Sequence, residues 1–186
     1  HYHDAGEGPA VILVSPPLLT KAIFRYQTEG LSDACRVITF DVRGHGRSER
    51  SGVPVDYSRI SEDIVLLMDF LGIRKAFVGG YSTGGGVALD ALLARPDRFY
   101  GGIVLSGLPE FGDLYNRLRL RAAKWMYNRQ TKKMLAWAIC RGNADRPETF
   151  DRLFREAMLG DPENWYQYYA ASGEYRCTAR LGRIHH

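Results

Sequence analysis

The sequence predicts an α/β fold in which a mainly parallel β-sheet carries helices on both faces. Up to about residue 107, short apolar runs typical of buried strands alternate with segments whose apolar residues recur at helical spacing. A glycine-rich turn joins one of these strands directly to a helix at residues 79–84. From about residue 113 the pattern is helical only. The alternation favours right-handed crossovers, which place successive strands parallel in one sheet.

Four continuous apolar runs are the predicted strands, and a fifth segment at the start of the chain is predicted to be the end of another strand. The four runs occupy residues 10–14, 36–40, 75–79 and 101–106, and the fifth segment is residues 1–4. Runs that are apolar throughout, rather than alternating with polar residues, are typical of strands buried on both faces.

Capping residues predict where the helices begin and end. Thr20 is predicted to cap a helix that runs through about residue 29 and ends at Gly30. Ser58 or Ser61 is predicted to open the next helix, which stops at Gly72. Three further helices are predicted after the last strand, at residues 113–140, 147–159 and 162–172.

The most informative stretch is the turn at residues 80–84, Gly-Tyr-Ser-Thr-Gly, which matches the pattern G-x-S-x-G. The strand must fold back on the helix so tightly that a Cβ atom at Gly80 or Gly84 would collide with it. Ser82 is therefore predicted to be strained, with its hydroxyl projecting at a helix N-terminus that stabilises an anion. The alternative interpretation is a glycine-rich crossover without a catalytic role.

The amino-acid composition limits the classes of protein to which the chain can belong. The 186 residues are 45% hydrophobic and 25% charged, which indicates one globular domain with a sizeable core. Three cysteines without metal-type spacing predict a reducing compartment and hence a cytoplasmic location. No run reaches the ~18 apolar residues of a membrane span. Without a phosphate loop, dinucleotide fingerprint or metal cluster, the sequence predicts no cofactor.

The positive charge is concentrated in one segment. The net charge is +4, and residues 111–140 hold seven basic side chains against one acidic side chain. Attraction to an anionic partner and a solvated helix face both fit this pattern. Because no nucleic-acid-binding motif accompanies the charge, the sequence predicts no nucleic-acid partner.

Several motifs in order resemble the α/β-hydrolase superfamily, and the resemblance runs through most of the chain. The motifs are the AVILV strand at 10–14, the D-x-R-G-x-G-x-S loop at 41–48, the turn at 80–84 and the RPDRF segment at 95–99. The resemblance implies a hydrolase core over residues 1–107 and a helical cap over 108–175. Residues 176–186 would then return toward core strands that are missing from this sequence.

The resemblance also implies an activity and its residues. It implies a serine hydrolase in which Ser82 is the nucleophile and the N–H of Thr83 is one oxyanion donor. The substrate would be an ester or a similar small acyl compound. Tyr81, beside the nucleophile, is a candidate substrate contact. The aromatic side chains of the predicted cap suggest an apolar group on a small-molecule substrate.

The second oxyanion donor departs from the family pattern. Many relatives carry His-Gly after the first central strand, where this chain has Ser15 and Pro16. Pro17 then occupies the donor position, and proline has no N–H. Leu18 is the candidate substitute, through a shifted turn.

The rest of the triad is not evident. In this fold the acid and then the histidine follow the nucleophile on loops beyond the cap. The histidines after Ser82 are His185 and His186 at the end of the chain. We therefore expect the catalytic acid and histidine outside these residues, and the 186-residue chain itself to be nearly inactive. Glu110 is a minority candidate for the acid, and His45 belongs to a loop that is structural in the family.

Two rival hypotheses remain. A non-catalytic ligand-binding or regulatory protein would keep the fold and use its pocket for sensing or docking. Alternatively, the same scaffold supports non-hydrolytic chemistry such as perhydrolysis or carbon–carbon cleavage. A sheet without its later strands would expose an unpaired edge, so a homo-oligomer is a possible partner arrangement.

Overall fold

The fold is built on a five-stranded β-sheet. The computed structural model describes residues 1–112, 114, 118, 126 and 130–185. In chain order the strands are β1 (Tyr2–Ala5), β2 (Ala10–Val14), β3 (Arg36–Phe40), β4 (Ala76–Tyr81) and β5 (Phe99–Leu105). The order across the sheet is β1-β3-β2-β4-β5. Only β1, on β3, is antiparallel among these pairs. The predicted mainly parallel sheet is therefore confirmed.

Six α-helices and three 3₁₀ segments accompany the sheet in the described part of the chain. The α-helices are α1 (Arg25–Leu31), α2 (Tyr57–Phe70), α3 (Thr83–Ala94), α4 (Lys132–Gly142), α5 (Pro147–Met158) and α6 (Pro162–Glu174). The 3₁₀ segments are Lys21–Phe24, Pro96–Arg98 and Thr178–Arg183. None of the helices among the described residues is both long and apolar enough to cross a membrane.

Alternation along the strands divides the core between the two faces of the sheet. On one face, Ile12 and Val78 pack with the apolar residues of α2 and α3. On the other face, Val11 and Leu13 pack with Phe24 of the first 3₁₀ segment. Successive side chains of a strand point to opposite faces, so both faces of this sheet need cover. The prediction of helices on both faces is confirmed.

The sheet reverses its direction of growth between β2 and β4. From β2 the chain crosses to β3 on one side, and β4 then lies on the other side of β2. Val14 at the end of β2 pairs with Gly80 near the end of β4. In open α/β sheets, ligands bind beyond the carboxyl ends of the strands at such a switch point. The turn of residues 80–84, which we call the elbow, begins at this place.

The predicted start of α2 was wrong. Asp56, rather than Ser58 or Ser61, is the N-cap, and its side chain accepts a hydrogen bond from the N–H of Arg59 at 2.8 Å. Asp56 has the extended backbone that a cap requires, with φ at −127°. Ser61 instead lies inside the helix, where its hydroxyl donates to a carboxylate oxygen of Asp90 at 2.9 Å.

The first helix agrees with its prediction at the start and differs at the end. Thr20 caps the 3₁₀ segment by accepting from the N–H of Ala22, which confirms the predicted cap. The helix continues past Gly30 to Leu31, so the predicted stop at Gly30 was wrong. The glycine does not adopt a left-handed conformation there, and a stop of the predicted kind requires one.

The predicted helices at 147–159 and 162–172 are confirmed by α5 and α6. Of the helix predicted at 113–140, α4 is the continuous described part. Most of residues 113–129 lie outside the described residues. They include five of the seven basic residues of the charged segment and one tryptophan, namely Arg117, Arg119, Arg121, Lys124, Arg129 and Trp125.

The last strand, β5, forms one edge of the described sheet. Ile103, Val104 and Leu105 on this strand are between 37% and 40% exposed. These successive residues point to alternate faces, so the strand presents apolar side chains on both sides. This edge has the exposed character expected from the sequence.

Candidate active site

Ser82 occupies a strained position between β4 and α3. Its backbone has φ 55° and ψ −122°, outside the regions that residues with a side chain normally adopt. Its N–H donates to the carbonyl of Leu105 at 2.8 Å, and its carbonyl accepts from the N–H of Gly85 at 3.0 Å. The side chain is half-buried. The predicted strained turn is present and is held by backbone hydrogen bonds on both sides.

The glycines of this turn are required by contact with neighbouring backbone. A Cβ atom on Gly80 would lie 2.0 Å from the carbonyl oxygen of Gly84. A Cβ atom on Gly84 would lie 2.3 Å from the carbonyl oxygen of Val14 in β2. Both oxygens belong to the backbone rather than to a flexible side chain, so neither can rotate away from the added Cβ atom. The second contact also seats the elbow directly against the end of β2.

The helix that starts after Ser82 supplies the electrostatics of the site. α3 begins at Thr83, and Ser82 is its N-cap residue without a side-chain capping bond. The first N–H groups of a helix have no intrahelical partner and carry the positive end of its dipole. An anion that develops at Ser82 would therefore be stabilised by the first turn of α3, to which the N–H of Thr83 belongs.

The turn after β2 has an unusual conformation at Leu18. This residue is fully buried with φ at 73°, in the left-handed region that a side chain disfavours. The hydroxyl of Ser15 donates to the carbonyl of Leu19 at 3.1 Å and closes the turn. Leu18 is therefore strained and buried next to Pro17, and its role as the substitute oxyanion donor stays a prediction.

A tyrosine from α6 contacts both segments of the site. Tyr168 is fully buried and its hydroxyl donates to the carbonyl of Ser15 at 3.0 Å. Burial raises the pKa of this phenol well above its ordinary value, and the nearby Thr83 hydroxyl opposes the rise. The Thr83 hydroxyl is itself buried and lies beside the phenol without forming a hydrogen bond of standard geometry. Sequence reasoning missed this residue.

Tyr81 faces away from the helix that follows it. It packs against the apolar cluster that contains Val11 and Phe24, on the face of the sheet opposite to α2 and α3. Its hydroxyl donates to the side-chain oxygen of Asn143 at 3.0 Å, and the Asn143 amide donates to the carbonyl of Ile139 at 2.8 Å. Tyr81 thus links the elbow to the C-terminal end of α4.

His45 lies in the core. One ring nitrogen, Nδ1, is 3.0 Å from the carbonyl of Arg43, and Nε2 is buried without a hydrogen-bond partner among the described residues. The ring lies 6.5 Å from Trp165 and 5.8 Å from Tyr168, between ring centroids. Burial lowers the pKa of His45 to about 4. The side chain is therefore neutral at pH 7.

Asp41 explains the loop motif at residues 41–48. Its buried carboxylate accepts hydrogen bonds from the backbone N–H groups of Lys21 at 3.0 Å and Arg47 at 3.1 Å. It also pairs with the Lys21 ammonium at 3.2 Å. Gly46 has φ at 50°, and a Cβ atom there would lie 2.7 Å from the Asp41 carboxylate. These contacts hold the loop against the start of the first 3₁₀ segment.

Among the described residues, no hydrogen bond joins Ser82 to the candidate acid Glu110 or to the candidate histidine His185. Glu110 forms an isolated antiparallel bridge with Arg176 through its backbone. His185 is exposed after the last 3₁₀ segment. His186 lies outside the described residues. The geometry assembled at the switch point therefore consists of Ser82, the start of α3 and the Leu18 turn.

Comparison with known proteins agrees with this architecture. A family model described as "alpha/beta hydrolase fold" matches residues 9–185. Among curated proteins, the chain is 39% identical over 103 residues to a putative carbamate hydrolase, RutD, of Caulobacter segnis. That match covers 54% of this chain and 39% of the relative, so the aligned part is about two fifths of the relative's length.

Solved structures share the fold over the whole chain. An esterase from Exiguobacterium antarcticum superposes with a TM-score of 0.87 at 20% identity, covering 100% of this chain and 73% of the esterase. The enol-lactonase from Burkholderia xenovorans LB400 superposes with a TM-score of 0.86 at 21% identity, covering 100% of this chain and 74% of the lactonase. At these identities the similarity establishes the fold alone.

Proposed function

Because this chain belongs to the α/β-hydrolase family, we propose that it is the nucleophile-bearing part of a serine hydrolase that acts on an ester or a similar small acyl substrate. The observation that carries the proposal is the backbone of Ser82, held at φ 55° between the end of β4 and the start of α3. Backbone strain of this kind is retained where the surrounding structure enforces it, and it is concentrated at functional sites.

The proposed reaction begins with attack of the Ser82 hydroxyl on the acyl carbonyl. A histidine outside these 186 residues, oriented by an acid, takes the hydroxyl proton as the general base. The N–H of Thr83 and a donor at the Leu18 turn bind the oxyanion that forms. The tetrahedral intermediate then expels the alcohol, which takes the proton from the histidine, and water hydrolyses the acyl-enzyme by the same steps.

The names of the relatives support the substrate class. The curated relative is called a carbamate hydrolase, and the similar structures are an esterase and a lactonase. Reactions of all three classes pass through nucleophilic attack at an acyl carbon. In this proposal, α4 to α6 form a cap that receives an apolar group of a small-molecule substrate. In the same proposal, Tyr81 acts on the site indirectly, because its hydrogen bond to Asn143 holds the end of α4 beside the elbow.

Ser82→Ala in the full-length protein tests the assignment. We expect the variant to lose hydrolysis of p-nitrophenyl acetate and butyrate, and to lose labelling by a fluorophosphonate probe. Ser58→Ala is the matched control, because Ser58 is exposed on α2, and it should keep both. Undiminished turnover by Ser82→Ala would refute the assignment. The 186-residue chain alone should hydrolyse neither ester appreciably, since a serine hydroxyl without a base is a weak nucleophile.

One observation favours a second candidate, a non-catalytic ligand-binding protein on the same fold. Pro17 has no N–H to offer at the position where relatives place an oxyanion donor. If the Leu18 turn supplies no replacement, turnover would fall on the order of 100-fold or more. A binding protein would bind a ligand equally well with Ser82 or alanine and would hydrolyse nothing. The three free cysteines support a cytoplasmic location for either function.

A further inference from the structure

A basic cleft lies between α5 and the first helical segment, by which we mean residues 21–31, the first 3₁₀ segment together with α1. Its volume is about 360 Å³, within the range of small-molecule pockets. β1 and β3 each contribute one residue to its lining, His3 and Thr39. The charged residues that line the cleft are Lys21, Arg25, Glu29, Arg47, Arg152 and Glu156. None of the elbow residues belongs to its lining.

Positive charge exceeds negative charge in the lining, because four cationic side chains face two carboxylates. Two of the cations are neutralised at the rim. Arg25 pairs with Glu29, and Arg47 pairs with Glu156 at 3.1 Å. The Lys21 ammonium is drawn toward the buried Asp41, which lies behind the cleft. Each of these three cations thus already has an acidic partner within the protein.

Arg152 is the cation without a partner. It forms no hydrogen bond or ion pair with any described residue, and its Nε is buried. A guanidinium carries five N–H donors and cannot lose its charge, so a buried donor without an acceptor costs free energy. Arg152 and Glu156 lie four residues apart on α5, so both face the same cleft. The Arg152 side chain as a whole is half-buried and lines the cleft, so a ligand there would meet a guanidinium that has no partner within the described part of the protein.

We propose that this cleft binds a small phosphorylated molecule whose phosphate group is held by Arg152. A guanidinium donates two parallel hydrogen bonds to phosphate oxygens, which gives both strength and orientation. The phosphate brings the negative charge that the lining lacks. The volume exceeds that of the phosphate group, so the remaining space accommodates an organic part beside the Thr28 and Ala22 side chains.

Titration calorimetry on the full-length protein at low ionic strength tests the proposal, with glycerol 3-phosphate and inorganic phosphate as probes. We expect Arg152→Gln to weaken binding of glycerol 3-phosphate by about tenfold or more. Arg155→Gln is the matched control. Arg155 lies on the same helix, is exposed and faces a different cleft, so this variant should bind within about twofold of the wild type. Arg152→Lys keeps the charge and should bind with intermediate affinity.

Three results would overturn the proposal. They are absence of binding by the wild-type protein, equal weakening by Arg152→Gln and Arg155→Gln, and a heat of titration that sodium chloride reproduces at equal ionic strength. Tighter binding of glycerol 3-phosphate than of inorganic phosphate supports an organic phosphate as the ligand. Equal affinities for the two probes would show that the cleft recognises the phosphate group alone. Ser82→Ala should bind glycerol 3-phosphate with unchanged affinity. The binding result therefore does not depend on whether the proposed hydrolase activity is found.

Discussion

The hydroxyl of Tyr168 donates a hydrogen bond to the backbone carbonyl of Ser15 at 3.0 Å, across 153 residues of chain. Ser15 begins the turn after β2, in which Leu18 adopts its left-handed conformation. The same tyrosine lies beside the hydroxyl of Thr83, the first residue of α3. One side chain of α6 therefore connects the two segments from which oxyanion donors are proposed.

We expect Tyr168→Phe to disturb the relative placement of these two segments. The change leaves the buried Ser15 carbonyl without this donor, so the free energy of unfolding should fall by about 1–3 kcal/mol. If Tyr168 positions the oxyanion donors of the proposed hydrolase, kcat of the full-length protein should fall on the order of tenfold while KM stays within about twofold. Urea unfolding and ester hydrolysis measure the two effects separately.

Tyr26→Phe is the control for that prediction. It also removes a tyrosine hydroxyl that forms a hydrogen bond, here to Asp145 at 3.0 Å on the exposed surface. This variant should leave kcat unchanged. A loss of stability in Tyr168→Phe without a change in kcat would assign Tyr168 a structural role only.

Two glycine substitutions test the steric basis of the elbow. Gly80→Ala places a Cβ atom 2.0 Å from a backbone oxygen, and relief of this contact requires movement of β4 or α3. The free energy of unfolding should therefore fall by about 3 kcal/mol or more.

Gly30→Ala is the control, because nothing lies within 4 Å of a Cβ atom there. It should stabilise α1 by about 0.5–1 kcal/mol. Equal effects of the two substitutions in urea unfolding would contradict the steric account.

Because His45 is buried, we expect the folded protein to lose stability in mild acid. Burial holds its pKa near 4 in the folded protein, although Asp41 and Asp161 lie close enough to oppose this. The ordinary pKa of histidine is 6.5. The unfolded chain therefore binds the proton first as pH falls below about 6.5, and stability is lost progressively toward pH 4. The pKa difference corresponds to a loss on the order of 3 kcal/mol.

His45→Gln isolates this contribution. The amide can still donate to the Arg43 carbonyl, and it has no proton to gain between pH 7 and 4. Urea unfolding across this range should show a shallower fall for the variant than for the wild type, whatever its stability at pH 7. The pKa values of Asp97 and Asp145 are lowered from 3.8 by hydrogen bonds, from Arg95 and Thr149 respectively, so their titration lies below this window. Parallel pH profiles of the two proteins would contradict the prediction.

The sequence was sufficient for features that depend on local sterics. Continuous apolar runs located β2 and β3 to the residue, and the glycines at positions 80 and 84 were sufficient to predict the strain at Ser82. Helix starts were less predictable, because serines inside α2 compete with Asp56 as caps and only the extended backbone of Asp56 decides between them.

Contacts between distant segments could not be predicted in the same way. Tyr168 is one of several aromatic residues in the C-terminal helices, and nothing in its neighbours marks it as the partner of Ser15. The orientation of Tyr81 away from α3 depends on the twist and cover of the sheet rather than on the turn motif. The unpaired state of Arg152 likewise follows only from how α5 packs beside the first helical segment.

The apolar edge strand predicts self-association of the 186-residue chain. β5 pairs with β4 on one side, and Ile103 and Leu105 are 40% and 37% exposed. Exposed apolar edges pair with other chains, and a lysine on such an edge opposes that pairing. Sedimentation of the 186-residue chain should therefore show concentration-dependent association that Ile103→Lys reduces. Val53→Lys is the control, because Val53 is 44% exposed and lies in the loop before α2 rather than on β5. It should leave association unchanged, and an equal reduction by both lysines would assign the effect to charge rather than to the strand edge.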